Sequence, residues 1–398
     1  MRSNLARDFR HACACGLLAT LAVACASDDT STSTVVVRDS AGVAIVQSTA
    51  PQWSPGTEWR IGDVRVTFEA PDLIGVFGAV RLSNGTVVAA EEGGSRLLFF
   101  GPDGTMRRSV GRSGEGPGEF RLPQGLGRAA DDAVWVYDYS RARVTRFSAT
   151  GDLVDIVLLT PPLPSALAIG SLADGSLILM GQWRTTGARA AEGLVRDTVA
   201  VVRYLDGRLV DTVGTTPGRE FVQFAEPGGR MVMSTAIMPR RASVAIWRGS
   251  IVLGDQVDHT LRVVGSDGVV RRLIRWIGPD LTVSAAELST WMDARVQVAH
   301  PDQRNATRAL LESAPTPDRR PSYDRLLADA SGHLWVGEYS TTEDEPSRWD
   351  ILDPNGVWLG AVRAPQRFRP LEIGSDWVLG VARDSLDVER IELRTLVR

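Results

Sequence analysis

Residues 111–151 read GRSGEGPGEFRLPQGLGRAADDAVWVYDYSRARVTRFSATG, and this stretch decides the fold. It begins with a loop rich in glycine and proline. Two runs of β-branched and aromatic residues follow at 134–138 and 143–147, and the second ends near a turn at Gly151. Short runs of this composition, separated by tight turns, are typical of antiparallel β-strands. The stretch therefore predicts one small β-sheet.

The same pattern recurs six times along the chain. Each copy has a turn followed by an apolar run, and a second turn follows in five of the copies. Three copies share one spacing between the two turns, for example from Gly85 to Gly104 and from Gly249 to Gly268. Units of about 40 to 50 residues with four strands are typical of propeller blades. We therefore predict an all-β fold, a six-bladed β-propeller with four-stranded antiparallel blades, over residues 35–398.

Three segments depart from the repeat. The last copy is one strand short, and we expect the run at residues 34–46 to supply the outer strand of blade six and close the ring. Residues 218–241 form an insertion that we expect to be a loop. Residues 281–320 form a second insertion, between blades four and five. Ser284 and Glu287 have capping-box spacing there, and the apolar residues that follow have helical spacing, so this insertion is predicted to be a pair of short helices.

The first 24 residues have the pattern of a lipoprotein signal peptide. Three arginines precede an apolar stretch whose length suits a signal peptide and is too short to span a bilayer. The stretch ends in LAVAC at residues 21–25, which resembles the bacterial lipobox. The resemblance implies lipid attachment at Cys25, a flexible tether over residues 25–34 and a place in the cell envelope, on the outer membrane where the cell has two. The alternative is a plain secretory peptide cleaved near the same point.

The composition narrows the range of functions. The net charge is −4, whereas nucleic-acid-binding proteins usually present a basic face, so we expect no nucleic-acid partner. The chain has 3 cysteines and none follows Cys25, which leaves the predicted propeller without thiol or disulfide chemistry. All 44 basic residues are arginine, so a cluster of arginines is weaker evidence of a site here than in a chain that also uses lysine.

The motif GEGPGEF at residues 114–120, with the two runs after it, resembles NHL-type six-bladed β-propellers, especially bacterial lipoprotein members. The resemblance implies a scaffold for binding and does not imply one activity. Propeller lactonases and lyases hold a metal ion on the axis, so a metal-dependent enzyme is the alternative function. The chain has 4 histidines and no HxH or HExxH spacing for such an ion. We therefore favour a ligand- or protein-binding module, and we assign it no catalytic residue, metal ligand or cofactor.

An acidic residue follows the strong apolar strand in four copies, at Glu91, Asp138, Asp255 and Glu338. As a functional feature, these carboxylates could bind a divalent cation at the mouth of the channel. As a structural feature, they would accept hydrogen bonds from backbone N–H groups of a neighbouring loop. Their repetition favours the structural role, because a catalytic residue is needed once and not in most blades.

Charged and aromatic residues precede the first strands of blades four, five and six, and these segments should converge at one mouth of the channel. Guanidinium groups gathered there would favour a carboxylate or a phosphate. The predicted partners are thus the membrane, through the lipid, and a small anionic ligand or an envelope protein. The predicted ligand-binding residues are Arg240, Arg241, Tyr323, Asp324, Arg325 and Arg369, with Arg367 beside them.

Overall fold

The described chain begins with a β-hairpin and a longer strand. The computed structural model describes residues 34–129, 131–163, 165–181, 193–225, 231–341 and 345–398, so the predicted signal peptide, Cys25 and residues 26–33 of the tether lie outside the described residues. The hairpin consists of β1 (Val35–Ser40) and β2 (Val43–Ser48), and β3 (Arg60–Phe68) follows it. No helix in the described ranges is long and apolar enough to cross a membrane.

The remaining strands form six sheets, which we number in chain order. Sheet one contains β4 (Val76–Arg81), β5 (Val87–Glu91), β6 (Arg96–Phe100) and β7 (Met106–Val110). Sheet two contains β8 (Pro123–Arg128), β9 (Val134–Asp138), β10 (Arg143–Phe147) and β11 (Leu153–Leu158). Sheet three contains β12 (Ala166–Ser171), β13 (Leu177–Gly181), β14 (Gly193–Leu205), β15 (Arg208–Ala225) and β16 (Met231–Thr235).

The second half of the chain forms sheets four to six. Sheet four contains β17 (Ser243–Trp247), β18 (Ser250–Gly254), β19 (Thr260–Val264) and β20 (Val270–Trp276), extended by β2 and β1. Sheet five contains β21 (Tyr323–Ala328), β22 (Leu334–Glu338), β23 (Arg348–Leu352) and β24 (Trp358–Arg363). Sheet six contains β25 (Phe368–Ile373), β26 (Trp377–Arg383) and β27 (Glu389–Val397), completed by β3.

Each pair of neighbouring sheets shares a hydrophobic core, and the pairs form a closed cycle. The first strands contact one another in the order β4, β8, β12, β17, β21, β25 and again β4. Between sheets six and one, for example, Phe68 and Leu379 pack in one cluster with Val76 and Phe100. The apolar runs predicted from the repeat are the second strand of each sheet, which is buried because it has packed sheets on both faces. The all-β prediction and the four-stranded antiparallel unit are thus confirmed.

The sequence analysis assigned the wrong segment of the chain to the missing strand of sheet six. Strand β3, and not the run at residues 34–46, pairs antiparallel with β27. The hairpin instead continues sheet four, where β2 runs parallel to β20. The burial of the two segments explains the choice: Phe68 at the end of β3 is 1% exposed, whereas Val36 and Val37 on β1 are 47% and 64% exposed. Among the described residues, β3 contributes Phe68 and Ile61 to cores between sheets, whereas no residue of the hairpin belongs to such a core.

The sequence predicted that the insertion at residues 218–241 is a loop. The structure instead places β-strand in part of it. Strand β15 continues into it and pairs with β16, in a register that places Phe221 opposite Thr235 and Ala225 opposite Met231. The β-branched and aromatic residues of this segment favour an extended strand, and β14 provides a long template on its other side. Sheet three therefore has five strands.

The insertion between sheets four and five is helical, as predicted. Helix α1 (Ala285–Val298) begins at Ser284, whose side chain and that of Glu287 form the expected capping box. A single 3-10 turn at residues 301–303 leads into α2 (Arg304–Ser313). Trp291 and Val296 of α1 are buried in a cluster with Ile237. This cluster holds the helical pair against the segment that leads into sheet four.

Candidate functional site

A cavity of about 520 Å³ lies where the first strands of sheets five and six begin; we call it the mouth cavity. Its walls come from the start of β21, the end of β22, the segment that leads into β25, and helix α1. Trp349 and Phe368, both almost fully buried, provide apolar surface. Five arginines and three carboxylates surround it, namely Arg241, Arg295, Arg325, Arg367, Arg369, Asp324, Glu338 and Glu345.

Four of the six predicted ligand-binding residues lie together on this cavity, namely Arg241, Asp324, Arg325 and Arg369, and Arg367 accompanies them. Arg241 is exposed and Arg325 is half-buried. No described residue accepts a hydrogen bond from either of these two guanidinium groups, although the backbone N–H of Arg241 donates to Gln256 Oε1. Both guanidinium groups therefore have donors left for a ligand.

Arg240 and Tyr323 do not line the cavity. The Arg240 Nε lies 2.7 Å from Glu220 Oε1, so Arg240 ties the segment before β17 to β15. Tyr323 is fully buried in the core between sheets four and five, and its hydroxyl donates to the carbonyl of Thr260. Burial raises the pKa of this hydroxyl. Both residues hold the fold together beside the cavity, and we leave them out of the candidate site.

Arg367 and Arg369 are oriented by backbone carbonyl groups. The Arg367 Nη1 donates to the carbonyl of Asp384 at 2.7 Å, and the Arg369 Nη2 donates to the carbonyl of Val76. The Arg367 Nη2 also pairs with Asp387 Oδ1 at 2.9 Å, so this guanidinium is held in one orientation by its rigid fork of donors. These contacts give the sheet-six side of the cavity a defined cationic wall.

Helix α1 adds a cation that the sequence analysis did not include. Arg295 lies one turn after the buried Trp291, and its guanidinium lies 5.8 Å from the centre of the indole ring. Arg320 ties α1 to sheet five, because its Nε lies 3.4 Å from Glu287 Oε1 of α1 and its Nη2 bonds Glu338 Oε1 at 2.8 Å. The cavity is therefore covered on one side by an anchored helix.

Arg219 on β15 is a second cation that the sequence analysis missed. It is half-buried over the ring of Phe221, and its buried Nε has no hydrogen-bond partner among the residues that the structure describes. Burial, followed by the charges of Arg241 and Arg295, lowers the pKa of the Arg219 guanidinium. Burial also raises the pKa of Tyr339, which lines the cavity near the same two arginines, to about 12. The three arginines thus make this side of the cavity electropositive.

The acidic residues at the ends of the second strands have mainly the structural role that their repetition favoured. Glu91 accepts the backbone N–H groups of Ile74 and Gly94, and Asp138 accepts that of Arg121 at 2.9 Å. Asp255 accepts the N–H of Val257. Glu338 differs, because it pairs with Arg320. Among the residues that the structure describes, no group of three or more His, Cys, Asp or Glu side chains could hold a metal ion.

The chain matches no family model, and no curated protein matches it. Among solved structures, it is similar to a member of the DUF4221 family from Bacteroides vulgatus, with a TM-score of 0.50 at 8% identity over 86% of this chain and 98% of that chain. A protein described as exported, from Bacteroides fragilis, has a TM-score of 0.48 at 14% identity, over 89% and 99% of the two chains. A gluconolactonase from Xanthomonas campestris has a TM-score of 0.42 at 11% identity, over 86% and 99%. At sequence identities this low, the similarity indicates a shared fold and nothing about function.

Proposed function

We propose that this chain is a lipid-anchored β-propeller of the cell envelope that binds a small carboxylate- or phosphate-bearing ligand in the mouth cavity. One observation carries the proposal. The guanidinium groups of Arg241 and Arg325 converge on one cavity, and no described residue accepts a hydrogen bond from either. Free guanidinium donors beside a partly buried apolar surface are suited to an anion, since charge-assisted hydrogen bonds are strong where water is partly excluded.

The six sheets are proposed as the six blades of one propeller. The cyclic contacts among the first strands and the core shared by each neighbouring pair of sheets support this arrangement. Ligands of such folds bind where the inner strands converge, and the mouth cavity lies at the start of two of these strands. We also propose that the fold is an NHL-type propeller, which the motif at residues 114–120 resembles. The loop that carries this motif joins sheets one and two.

The charge balance favours an anion over a cation or a neutral ligand. Five arginines line the cavity against three carboxylates. Two of these groups are already paired with residues outside the cavity lining, Glu338 with Arg320 and Arg367 with Asp387. On the α1 side, burial and then the charges of Arg241 and Arg295 lower the pKa of the Arg219 guanidinium, as expected where cations gather. A ligand with a carboxylate or phosphate group would neutralise this excess, and Trp349 and Phe368 would contact its apolar part.

Ligand binding is tested with inorganic phosphate, succinate and citrate, using thermal shift and then calorimetry. We expect at least one anion to stabilise the protein. Arg241→Ala and Arg325→Ala should each weaken its binding about tenfold or more, which is typical for loss of a hydrogen bond from a charged group. The control is Arg271→Ala, a surface arginine of β20 that pairs with Asp267 away from the cavity. If no anion stabilises the protein, or if Arg325→Ala behaves like the control, the proposed site is wrong.

The envelope location rests on the N-terminal sequence, and it has its own test. The LAVAC motif at residues 21–25 predicts that Cys25 carries the lipid. Cys25→Ser should abolish the mass increase that acylation causes and should release the protein from membranes. A variant that fractionates with membranes as the wild type does would contradict lipid attachment, while leaving the binding proposal intact.

A further inference from the structure

Two strands of sheet three, β14 and β15, are the longest in the described chain. Where they run beyond β13, they pair with each other, and β15 also pairs with β16. This extension comprises residues 193–197, 218–225 and 231–235, and we call it the arm. The base of the arm lies beside the mouth cavity, because the backbone N–H of Glu220 donates to the carbonyl of Arg240 at 2.9 Å and the next residue, Arg241, lines the cavity.

One face of the arm is apolar and open to solvent. The register of the strands places Phe221 opposite Thr235 and Ala225 opposite Met231, so Phe221, Met231 and Met233 share this face. Both methionines are 39% exposed, and Phe221 is half-buried. Among the described elements, β16 packs mainly against β15. An exposed apolar patch of this kind is typical of binding surfaces.

A cation stands at the base of the same face. The Arg219 guanidinium lies 5.6 Å from the centre of the Phe221 ring, and its buried Nε has no hydrogen-bond partner in the described part of the chain. Arg241 and Arg295, which line the mouth cavity, are close enough for their charges to lower the pKa of Arg219, after the larger effect of burial. The apolar face of the arm therefore begins at the cationic side of the mouth cavity.

The carboxylates near this surface lie at its edges. The three in the cavity lining, at positions 324, 338 and 345, all belong to sheet five. Within the arm, Asp197 lies at the bulge of β14 at the base, and Glu220 pairs with Arg240. Residues 221–225 and 231–235 include no charged residue. An anionic group is therefore attracted to the base of the arm, and an apolar chain meets no charge along its length.

The apolar surface inside the mouth cavity is small by comparison. Trp349 and Phe368 line the cavity but are only 2% and 4% exposed. A short apolar group could contact them, whereas a longer chain would have to continue outside the cavity. The exposed methionines of the arm provide such a surface, since methionine is flexible and unbranched and adapts to the shape of an apolar partner.

We propose that the mouth cavity and the arm together bind a single-chain anionic amphiphile, which is a carboxylate or a phosphate monoester with a linear alkyl chain. Its anionic group would lie in the cavity with Arg241 and Arg325. Its chain would lie along Phe221, Met231 and Met233. This inference rests on the proposed anion site and adds the chemical class of the ligand.

The experiment measures the binding of butanoate, octanoate and dodecanoate by thermal shift and calorimetry, each below the concentration at which it forms micelles. We expect affinity to rise about tenfold or more from butanoate to dodecanoate, because each methylene group buried on the arm adds to the affinity. A variant with both Met231→Ser and Met233→Ser should lose most of this gain and should bind butanoate and inorganic phosphate as the wild type does. Dodecyltrimethylammonium has the same chain with a cationic head, and it should bind about tenfold more weakly than dodecanoate.

Met106→Ser is the matched control, because Met106 lies on β7 of sheet one and is 40% exposed, like the two methionines of the arm. It should bind all three carboxylates as the wild type does. Thermal unfolding establishes that each variant is folded, and Met233→Ser alone provides the test if the double variant is not.

The outcomes separate this inference from the proposed function. Equal affinities for butanoate and dodecanoate, or a double variant that behaves like Met106→Ser, would overturn the inference and leave the small-anion site intact. Dodecanoate binding that Arg325→Ala does not weaken would also overturn it, because the amphiphile would then be held apart from the mouth cavity. Absence of binding by phosphate and by every carboxylate would contradict the proposed function itself, and the inference with it.

Discussion

His259 shows how one partly buried side chain can give the fold a pH dependence. Its ring makes an edge contact with Trp276, with ring centres 5.3 Å apart, and it fills the space where a side chain on Gly278 would lie. Burial lowers the pKa of His259 from its ordinary value of 6.5 to about 4. The ring is therefore neutral in the folded protein at neutral pH.

The first prediction concerns acid destabilisation through His259. Because its pKa is lower in the folded than in the unfolded state, its contribution to stability is complete above pH 6.5. That contribution falls as the pH drops towards 4, by up to about 1.4 kcal/mol per pH unit. His259→Phe keeps the aromatic contact, so the free energy of unfolding should depend less on pH between 6.5 and 4.

The measurement is denaturant unfolding at a series of pH values. The control is His300→Phe, which alters a histidine whose side chain is 68% exposed. We expect this control to keep the wild-type pH profile. An unchanged profile in His259→Phe would show that other groups cause the acid destabilisation in this range.

At the scale of elements, Arg398 connects the end of β27 to sheet five. Its Nη2 lies 2.6 Å from Asp329 Oδ2, and its guanidinium stacks over Trp59, 4.3 Å from the ring centre. Asp329 also accepts hydrogen bonds from His333 and from Trp335 Nε1. Burial alone would raise the pKa of Asp329, but these hydrogen bonds and the charge of Arg398 outweigh it and hold the pKa below the ordinary value. The contact therefore stabilises the last strand as a buried ion pair.

The second prediction is that Arg398→Ala lowers the free energy of unfolding by about 2 kcal/mol at neutral pH. The change removes one partner of a buried carboxylate, while the other donors to Asp329 remain, so the loss should be smaller than for a fully unpaired charge. Urea unfolding monitored by tryptophan fluorescence measures the loss.

The control for this ion pair is Arg65→Ala, which removes an exposed pair with Asp376. Exposed pairs contribute about 0 to 1 kcal/mol, so this variant should stay close to the wild type. Equal effects of the two variants would show that burial of Asp329 does not strengthen its pair.

At the scale of the whole molecule, one strand completes the cycle of sheets. Strand β3 lies beside β27 and contributes Phe68 to the core between sheets six and one. Ile61 of the same strand and Trp59 just before it pack in the core between sheets five and six. By contrast, the β1–β2 hairpin is attached to the outer strand of sheet four, which already has four strands of its own.

The third prediction compares two truncations. Removal of residues 1–49 should leave a folded protein, because within the described chain it takes away only the outer hairpin. Removal of residues 1–69 should cost roughly 5 kcal/mol or more, because it uncovers apolar residues of sheet six and exposes β27 as an unpaired edge that can template aggregation. Guanidinium unfolding and light scattering distinguish the two. Equal stability of both truncations would contradict the closing role of β3.

Local sequence patterns predicted much of the fold. Gly85 and Gly104 adopt φ values of 84° and 86° in successive turns of sheet one, as the repeated turn pattern requires. The capping box at Ser284 likewise predicted where α1 begins. These turns and caps depend on residues only a few positions apart, so they can be predicted from the sequence.

The candidate site was only partly predictable. Arg241 and Arg325 were expected at the mouth because they precede first strands. Arg219 and Arg295 were not, because β15 extends beyond the repeat and α1 folds over the cavity only in the tertiary structure. A cavity between sheets two and three was also missed, since its walls come from two sheets.

The sequence by itself thus determined the repeating sheets, the turns and the helical pair, because these depend on local conformation and on the alternation of apolar residues. The tertiary structure alone decided which of two strands completes sheet six and which of two adjacent arginines, Arg240 or Arg241, lines the mouth cavity. Glu220 pairs with Arg240, and Arg241 is left on the cavity. Both outcomes depend on contacts between residues that are far apart in the sequence, and local sequence patterns do not predict such contacts.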